Sequence, residues 1–312
     1  MGKLCATFQL FRLVHFIYIL MAIGIAVGLI FAFKKKSGKV CKWVGITLVS
    51  CAGLFVLLDF IGKIFVVDNI FEHLPINPYH IFAYLCVFVE ITQNVSWTKF
   101  AYFIVLPVSG ISLFLVPNVY MTMGMASISV ISYFILNAIL IAYSVLKIIW
   151  SDEYLSKKDI LSITMDFSLI IAIAHVINVF FRFTVIGTEA NYFGTMGEEY
   201  DVLIGLLGRL IPVPFVNIIP LIAVIVGLEF LLFLPFDIMK TKQDNREQLE
   251  QIVALGNLKE QAKFRKNNKS QVLVRGENKA QPQVHKTTTT TAHKDGFVSI
   301  NKQVKVNKDN KN

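Results

Sequence analysis

The run LVHFIYILMAIGIAVGLIFAF, at Leu13–Phe33, is followed directly by three lysines, Lys34, Lys35 and Lys36. The run has no charged residue, and a helix needs about 20 apolar residues to cross the ~30 Å hydrocarbon core of a bilayer. Backbone groups in lipid must be hydrogen-bonded within their own segment, so long unbroken runs favour helices over barrel strands. The run lacks a small-residue cleavage site, which favours a retained membrane span over a signal peptide.

Six more apolar runs follow, and each can form a membrane-spanning helix. They lie at 43–67, 78–95, 100–116, 126–150, 160–184 and 211–234. The sequence therefore predicts an all-α fold, a polytopic membrane helical bundle of about seven transmembrane helices within residues 1–238. The runs at 78–95 and 100–116 are the shortest, so a re-entrant hairpin there, which would leave five spans, is the alternative.

Lysine and arginine avoid every second connection between these runs. The first connection has five lysines, the third has Lys99, and the fifth has Lys157 and Lys158. The second and sixth connections are mainly acidic, and the fourth is uncharged. The positive-inside rule then predicts a multi-pass protein of the cell membrane with its N-terminus outside and its C-terminal tail cytoplasmic, although Lys3 and Arg12 mildly oppose this orientation.

Residues 239–312 form a second region, predicted to be a basic and mostly disordered tail. It contains 16 basic and 7 acidic residues, which accounts for the whole net charge of +9. Its Asn, Gln, Lys and Thr-rich composition is too polar to build a core. Aromatic residues are nearly absent and no nucleic-acid-binding module is present, so anionic lipids of the inner leaflet are favoured over nucleic acid as the tail's partner.

Polar residues inside the spans are the candidate functional groups, since each is costly in hydrocarbon. His175, Asn178 and Arg182 share one face of the sixth span, at i, i+3 and i+7. With His80, at the start of the third span, they predict a polar pocket open toward the outer leaflet. The sixth connection, with Asn191 and Tyr192, would cover it.

Other polar groups in the spans have a structural interpretation. Asp59 and Lys63, at i and i+4, are interpreted as an ion pair with Lys63 reaching outward. His15 is interpreted as interfacial. Asn137, in the fifth span, either hydrogen-bonds a neighbouring helix or contributes to the pocket. The four cysteines have no CxxC pair, so neither a disulfide framework nor a metal site is predicted.

Short motifs within residues 73–236 resemble a known family. The motifs are Leu74-Pro75, Pro78-Tyr79-His80, Gly110, Pro117-Asn118, Asn178, Gly187-Thr188, Asn191-Tyr192 and Pro212-Val213-Pro214. Their order resembles the YwaF-type bacterial integral membrane proteins, which are related to the animal transmembrane protein 164 acyltransferase. That resemblance implies transfer of fatty acyl chains between membrane phospholipids, with no soluble cofactor.

The chain departs from this family where the chemistry would occur. The resemblance implies an acyl-accepting cysteine two residues after the histidine, and that position is Phe82. Asn137 stands where a histidine is expected, and Glu189 and Ala190 interrupt the Gly-Thr-Asn-Tyr run. Cys86, one turn after Phe82, would serve only in a shifted site.

Two functions therefore remain open. In an acyltransferase, His80 and His175 would supply acid or base functions, and Asn178, Arg182, Asn191, Tyr192 and Asn137 would bind the substrate. A non-catalytic member would instead bind or transport a lipid or a small solute. The sequence leaves the oligomeric state open.

Overall fold

The computed structural model describes residues 7–65, 69–151, 155–185, 188–196 and 201–276. It is 81% helical and has no strands; the described part contains one isolated bridge, between Thr7 and Gly124. The prediction of an all-α fold is therefore confirmed.

Nine α-helices make up this part of the chain. They are α1 Leu13–Phe33, α2 Lys39–Ile64, α3 Pro78–Thr92, α4 Val95–Phe100, α5 Leu106–Phe114, α6 Ile128–Ser151, α7 Lys157–Thr184, α8 Val202–Leu210 and α9 Ile219–Gly276. A π-helical turn, Ala101–Val105, joins α4 to α5, so the two form one continuous rod. Six segments are long and apolar enough to cross a membrane, which makes the chain a multi-pass membrane protein.

Helix α6 lies at the centre of the bundle. Of the most apolar 18 residues of α6, 72% are buried, against 17% for the corresponding stretch of α1. Helix α6 packs against α1, α2 and α5. Close contact with α2 depends on Gly62, because a Cβ there would lie 2.2 Å from Ser129 Oγ. The outer helices α1 and α7 carry many exposed large apolar side chains, such as Leu20 and Met165, as lipid-facing surfaces do.

Helix α3 is short, about 22 Å for its 15 residues, yet it runs the length of the bundle core. Its start meets the end of α2, where His80 contacts Asp59, and its end meets the start of α2, where Glu90 lies beside Gly45. We call these two ends of the bundle the Asp59 end and the Lys42 end. The α4–α5 rod then returns to the Asp59 end, where Leu113 contacts His15 of α1. The six long apolar segments and the shorter α3 thus run alternately between the two ends, and the predicted count of about seven spans, with five as the alternative, stays a prediction.

The last span begins later than predicted. The apolar run at 211–234 contains Pro212 and Pro214, which lack an N–H and restrict the residues before them. Phe215 adopts a positive φ of 67°, a 3-10 turn follows at Val216–Ile218, and α9 starts at Ile219. Pro220 is compatible with the first turn of α9, where its missing N–H has no helical partner.

The chain divides into two compact units, residues 1–246 and 247–312. Helices α1 to α8 and the apolar part of α9 belong to the first unit. In the second unit, the described residues continue α9 as helix to Gly276, within the region predicted to be mostly disordered. The predicted boundary at residue 238 stays a prediction, and residues 277–312 of the tail lie outside the described residues.

Candidate functional site

Five polar side chains form a buried network at the Asp59 end. Asp59 accepts hydrogen bonds from Lys63 Nζ at 2.7 Å and from Tyr120 Oη at 2.9 Å, and His80 Nε2 lies 2.8 Å from its carboxylate. Lys63 also donates to Tyr79 Oη and Tyr120 Oη, both at 3.0 Å. All five side chains are almost wholly buried, so the network neutralises one acid and one base within the protein.

One structural prediction made from the sequence is wrong here. Lys63 does not reach outward: it is 0% exposed, because Asp59 and two tyrosines satisfy its three N–H groups inside the bundle. His15 is 0% exposed, and its ring nitrogens contact Leu113 O and the backbone N–H of Phe11; its interfacial position in the membrane stays a prediction. The predicted ion pair between Asp59 and Lys63 is present.

The network orients His80 through one ring nitrogen but does not hydrogen-bond the other. Its Nε2 pairs with Asp59, whereas its Nδ1 is buried and has no hydrogen-bond partner among the described residues. A carboxylate holding one ring nitrogen and leaving the other free is the arrangement that orients a general base. The ring is nevertheless 0% exposed, so no substrate reaches it in this conformation.

The polar face of α7 holds the loop at residues 188–196. Asn178 accepts from the N–H of Tyr192 at 2.8 Å and donates to Tyr192 O and Thr195 Oγ1. His175 Nδ1 lies 3.1 Å from Thr195 Oγ1, and Arg182 Nε donates to Ala190 O at 3.0 Å. Both N–H groups of Asn178 are engaged, so its amide holds the loop in place, and its predicted contact with a substrate stays a prediction.

The conformation of the loop at 188–196 is fixed by its backbone angles and by its contacts. Phe193 and Gly194 have positive φ angles of 59° and 66°, and a Cβ on Gly194 would lie 2.5 Å from the side chain of Ile204 in α8. Asn191 Oδ1 accepts from the N–H of Met196, which closes the turn. Tyr192 Oη donates to Phe71 O, and burial raises the pKa of Tyr192, which keeps this donor protonated. The loop is therefore fixed against both α7 and the segment at 69–72.

The predicted site residues thus fall into separate groups. No hydrogen bond or ion pair between described residues joins His80 to the polar face of α7. Asn137 lies apart from both: it is fully buried, donates to Tyr133 O at 2.9 Å, and its Oδ1 has no partner in the described part of the chain. Its amide therefore bonds within α6 rather than to a neighbouring helix. Gly187 of the Gly-Thr motif lies outside the described residues.

An apolar groove of about 220 Å³ lies between α3 and α7, beside the loop. Its lining residues are Ile76, Ile81, Ile170, Ile173, Ala174, Ile177, Tyr192 and Phe193. Ile173, at its rim, is 52% exposed, so the groove opens on a lipid-facing side of α7. Sequence periodicity did not indicate it, because isoleucines on a membrane helix are as readily assigned to lipid contact.

A second buried network, at the Lys42 end, was missed from the sequence. Lys147 donates to Glu90 Oε2 and to Gln93 Oε1, both at 2.8 Å, and Tyr143 Oη donates to Glu90 at 3.1 Å. Lys147 lies near the end of an apolar run, and a charged residue in that position was the feature of the sequence that indicated a polar network there. Its partner, 57 residues earlier in the chain, could not be identified without the helix pairing.

Phe82, at the position where the family has its cysteine, packs in the core of the bundle. Phe82 is 0% exposed, and its ring lies 6.3 Å from that of Phe167 on α7. Cys86 is also buried, and its backbone oxygen accepts from Tyr143, in the network at the Lys42 end. Six residues along a helix separate it from His80 by about 9 Å, so its thiol is out of reach of that imidazole.

The fold and these networks define a multi-pass helical membrane protein with an apolar groove beside a fixed polar loop. The chain belongs to the TMEM164 family, whose family model matches residues 7–239. This confirms the relationship that the short motifs suggested and extends it to α1 and α2; the YwaF-type bacterial branch stays a prediction. No curated protein and no solved structure matches the chain.

Proposed function

We propose that this protein binds membrane phospholipid, with one acyl chain in the groove between α3 and α7. The observation that carries the proposal is the lining of the groove, which is apolar apart from Tyr192 and opens toward lipid at Ile173. A bilayer supplies such chains at high local concentration, so a modest gain in packing is sufficient for occupancy.

The surroundings of the groove suit the polar end of the same lipid. His175 lies between the lining residues Ala174 and Ile177 of α7, Arg182 lies more than one turn further on, and both are half-buried beside the loop. The loop is held by Asn178, so the distance between groove and polar groups is fixed before a lipid arrives. Such preorganisation lowers the cost of binding.

Native mass spectrometry tests this role by counting the phospholipids that stay bound to the purified protein. Ile173→Trp fills the groove and is expected to reduce the retained lipid by at least one molecule. Val176→Trp is the matched control, since Val176 is 66% exposed on the same helix and does not line the groove. Equal retention in both variants and the unmodified protein contradicts the proposal.

Acyl transfer through a cysteine thioester is not part of the proposed function. Phenylalanine at position 82 has no nucleophile, and Cys86 belongs to the opposite network. Phe82→Cys would restore a thiol close to His80 in sequence, and Phe88→Cys, at a 44% exposed position on the same helix, is its control. Acylation of the introduced thiol in the first variant alone, detected by hydroxylamine-sensitive labelling, would show that the remaining site still supports the reaction.

Direct acyl transfer is a second candidate, favoured by Nδ1 of His80, which has no partner among the described residues. His80 would accept the proton of a lysophospholipid hydroxyl as its oxygen attacks the ester carbonyl of a donor phospholipid. The new ester forms, the donor's glycerol oxygen leaves, and that oxygen takes the proton back from His80. Because His80 is fully buried, this reaction requires a movement that exposes its ring.

Lipid analysis of nanodiscs with one defined phospholipid and one lysophospholipid tests direct transfer. Acyl-exchanged products are expected with the unmodified protein and lost in His80→Gln, whereas the control His73→Gln, outside the network, keeps them. Absence of products with the unmodified protein rejects this candidate and leaves the binding role.

The basic tail supports a separate lipid contact. We propose that residues 239–312, with 16 basic and 7 acidic residues, are attracted to anionic headgroups. A peptide of this region should bind anionic vesicles at low salt and release them at high salt; failure to bind at low salt rejects the role.

A further inference from the structure

A cavity of about 870 Å³ lies at the Lys42 end of the bundle, away from the groove between α3 and α7. The first half of α2, the end of α3, the start of α4 and the end of α6 form its walls. Its size is within the range of pockets that hold small ligands. Neither acyl transfer nor the groove accounts for it.

Part of the wall is a rigid polar network. Lys147 bridges Glu90 and Gln93, and Gln93 adopts a positive φ of 51° as it ends α3. The Glu90 carboxyl packs directly on α2, because a Cβ at Gly45 would lie 2.8 Å from it. These contacts fix the end of α3 against α2 and α6.

The charge of the cavity is positive. Glu90 and Lys147 neutralise each other at 2.8 Å, and Lys42 also lines the cavity but forms no ion pair among the described residues. Helix α2 begins at Lys39 after Gly38, which has no side chain to cap the first turn. The uncapped N–H groups of that turn add to the positive potential around Lys42.

The rest of the lining is apolar and continues along the helices. Ile46 and Val49 of α2, Val87 and Ile91 of α3, and Trp150 of α6 line the cavity. The indole N–H of Trp150 donates to Phe33 O at the end of α1, which fixes the ring. A cationic mouth above apolar walls is complementary to an amphiphile with a negatively charged head.

We propose that this cavity binds an anionic phospholipid from the leaflet at the Lys42 end, with its phosphate at Lys42 and part of an acyl chain between Val49 and Val87. This site is independent of the groove between α3 and α7. It makes the protein selective for lipid charge at one defined position, in addition to any general attraction by the tail.

Fluorescence quenching of Trp150 by brominated phospholipids tests the proposal. The chain has three tryptophans, so Trp43→Phe with Trp97→Phe leaves Trp150 as the single reporter in the full-length protein. Brominated phosphatidylglycerol is expected to quench Trp150 with about fivefold higher affinity than brominated phosphatidylcholine, the ratio given by one nearby lysine. Equal quenching by the two lipids overturns the proposal.

Matched variants separate this site from the tail. Lys42→Gln should abolish the preference for phosphatidylglycerol, whereas Lys39→Gln, one turn earlier on α2 and outside the lining, should keep it. Equal loss in both variants would assign the preference to surface charge and overturn the proposal. Ser50→Phe, which fills the cavity from an exposed position, should reduce quenching, and Thr47→Phe should not.

A soluble phosphate is the alternative source of the same chemistry. The quenching preference should be unchanged when inorganic phosphate replaces chloride at equal ionic strength. Loss of the preference in phosphate would identify a soluble anion as the ligand and overturn the assignment to lipid.

Discussion

Lys63 illustrates how a charged residue is accommodated inside a membrane protein. Its ammonium group donates to Asp59, Tyr79 and Tyr120, so all three protons have acceptors and the charge has a partner. Removing one member of such a buried pair leaves the other charge without compensation. The network is therefore stable only as a set.

Lys63→Met is expected to lower the free energy of unfolding by about 3–5 kcal/mol, because the carboxylate of Asp59 loses its cation. The double variant Asp59→Asn with Lys63→Met should lose less than the sum of the two single changes. Unfolding of the purified protein in detergent by a denaturing surfactant measures the differences. Lys157→Met, at an exposed position at the start of α7, should change stability by under about 0.5 kcal/mol. Additive single effects would contradict a coupled network.

His73, in the connection between α2 and α3, should make stability depend on pH. Burial, with the positive charge of Lys63, lowers the pKa of His73 from 6.5 to about 4. The unfolded chain then binds more protons between these values, so stability is full above about pH 6.5 and decreases as the pH falls toward 4. From about pH 7 to about pH 5, the unmodified protein should lose roughly 1–2 kcal/mol more than His73→Gln. An equal loss in the two proteins would show that His73 does not carry the effect.

The polar groups of the site were largely predictable, but their contacts were not. His80, Asp59 and Lys63 were singled out because ionisable residues are rare in apolar runs. Tyr120 was not, since it lies in a connection between spans and reaches Asp59 only after α5 and α6 have packed. The sequence pattern correctly placed His175, Asn178 and Arg182 on one face of α7. Their contact with the loop at 188–196 could not be predicted, because it depends on the backbone turn at Phe193.

The close packing of α2 against α6 depends on the absence of a side chain at Gly62. Gly62 lets Ser129 approach α2, and Ser129 Oγ donates to Asp59 O at 3.1 Å. A glycine elsewhere in α2 has no such neighbour: a Cβ at Gly53 meets nothing within 4 Å. The two glycines should therefore respond in opposite directions to the same substitution.

Gly62→Ala is expected to destabilise the protein by about 1–3 kcal/mol, because the methyl group pushes α6 away from α2. Gly53→Ala should be neutral or stabilising by about 0.5–1 kcal/mol, since alanine favours helix and the space is open. Thermal unfolding of both variants in the same detergent compares them. The same sign for both changes would contradict the packing of α2 on α6.

Helix positions followed from hydropathy more closely than helix ends did. The run at Leu13–Phe33 matches α1 at both ends, because Arg12 and Lys34 limit it on either side. The last span was placed too early, since Pro212 and Pro214 interrupt the helix without interrupting the apolar run. The π-helical turn at Ala101–Val105 was not predicted, although Pro107, which cannot donate to the carbonyl four residues earlier, is a sequence signal for an irregular turn there.

For the protein as a unit, we expect α3 to cross the membrane together with the six longer segments, which would place the start of α1 and the end of the apolar part of α9 on opposite sides. Which side is which depends on the lysines of the Lys42 end. We expect that end to be cytoplasmic by the positive-inside rule. Both groove and polar loop would then lie toward the outer leaflet.

Cysteine labelling in intact cells tests this orientation. In a background without native cysteines, Glu189→Cys at the exposed loop should react with a membrane-impermeant maleimide, and Lys158→Cys should react only after lysis. Both positions are exposed, so access to the reagent is the difference between them. The reverse labelling pattern would show that the protein has the opposite orientation in the membrane.

Lipid binding in the groove can be examined by photo-cross-linking with a phospholipid that carries a diazirine near the end of one acyl chain. In nanodiscs, we predict that the adducts, mapped by peptide mass spectrometry, concentrate on Ile170, Ile173, Ile177 and Ile81, and that Ile173→Trp removes them while Val176→Trp does not. Adducts spread evenly over the lipid-facing surfaces of α1, α7 and α9, with no excess in the groove, would contradict the proposed function.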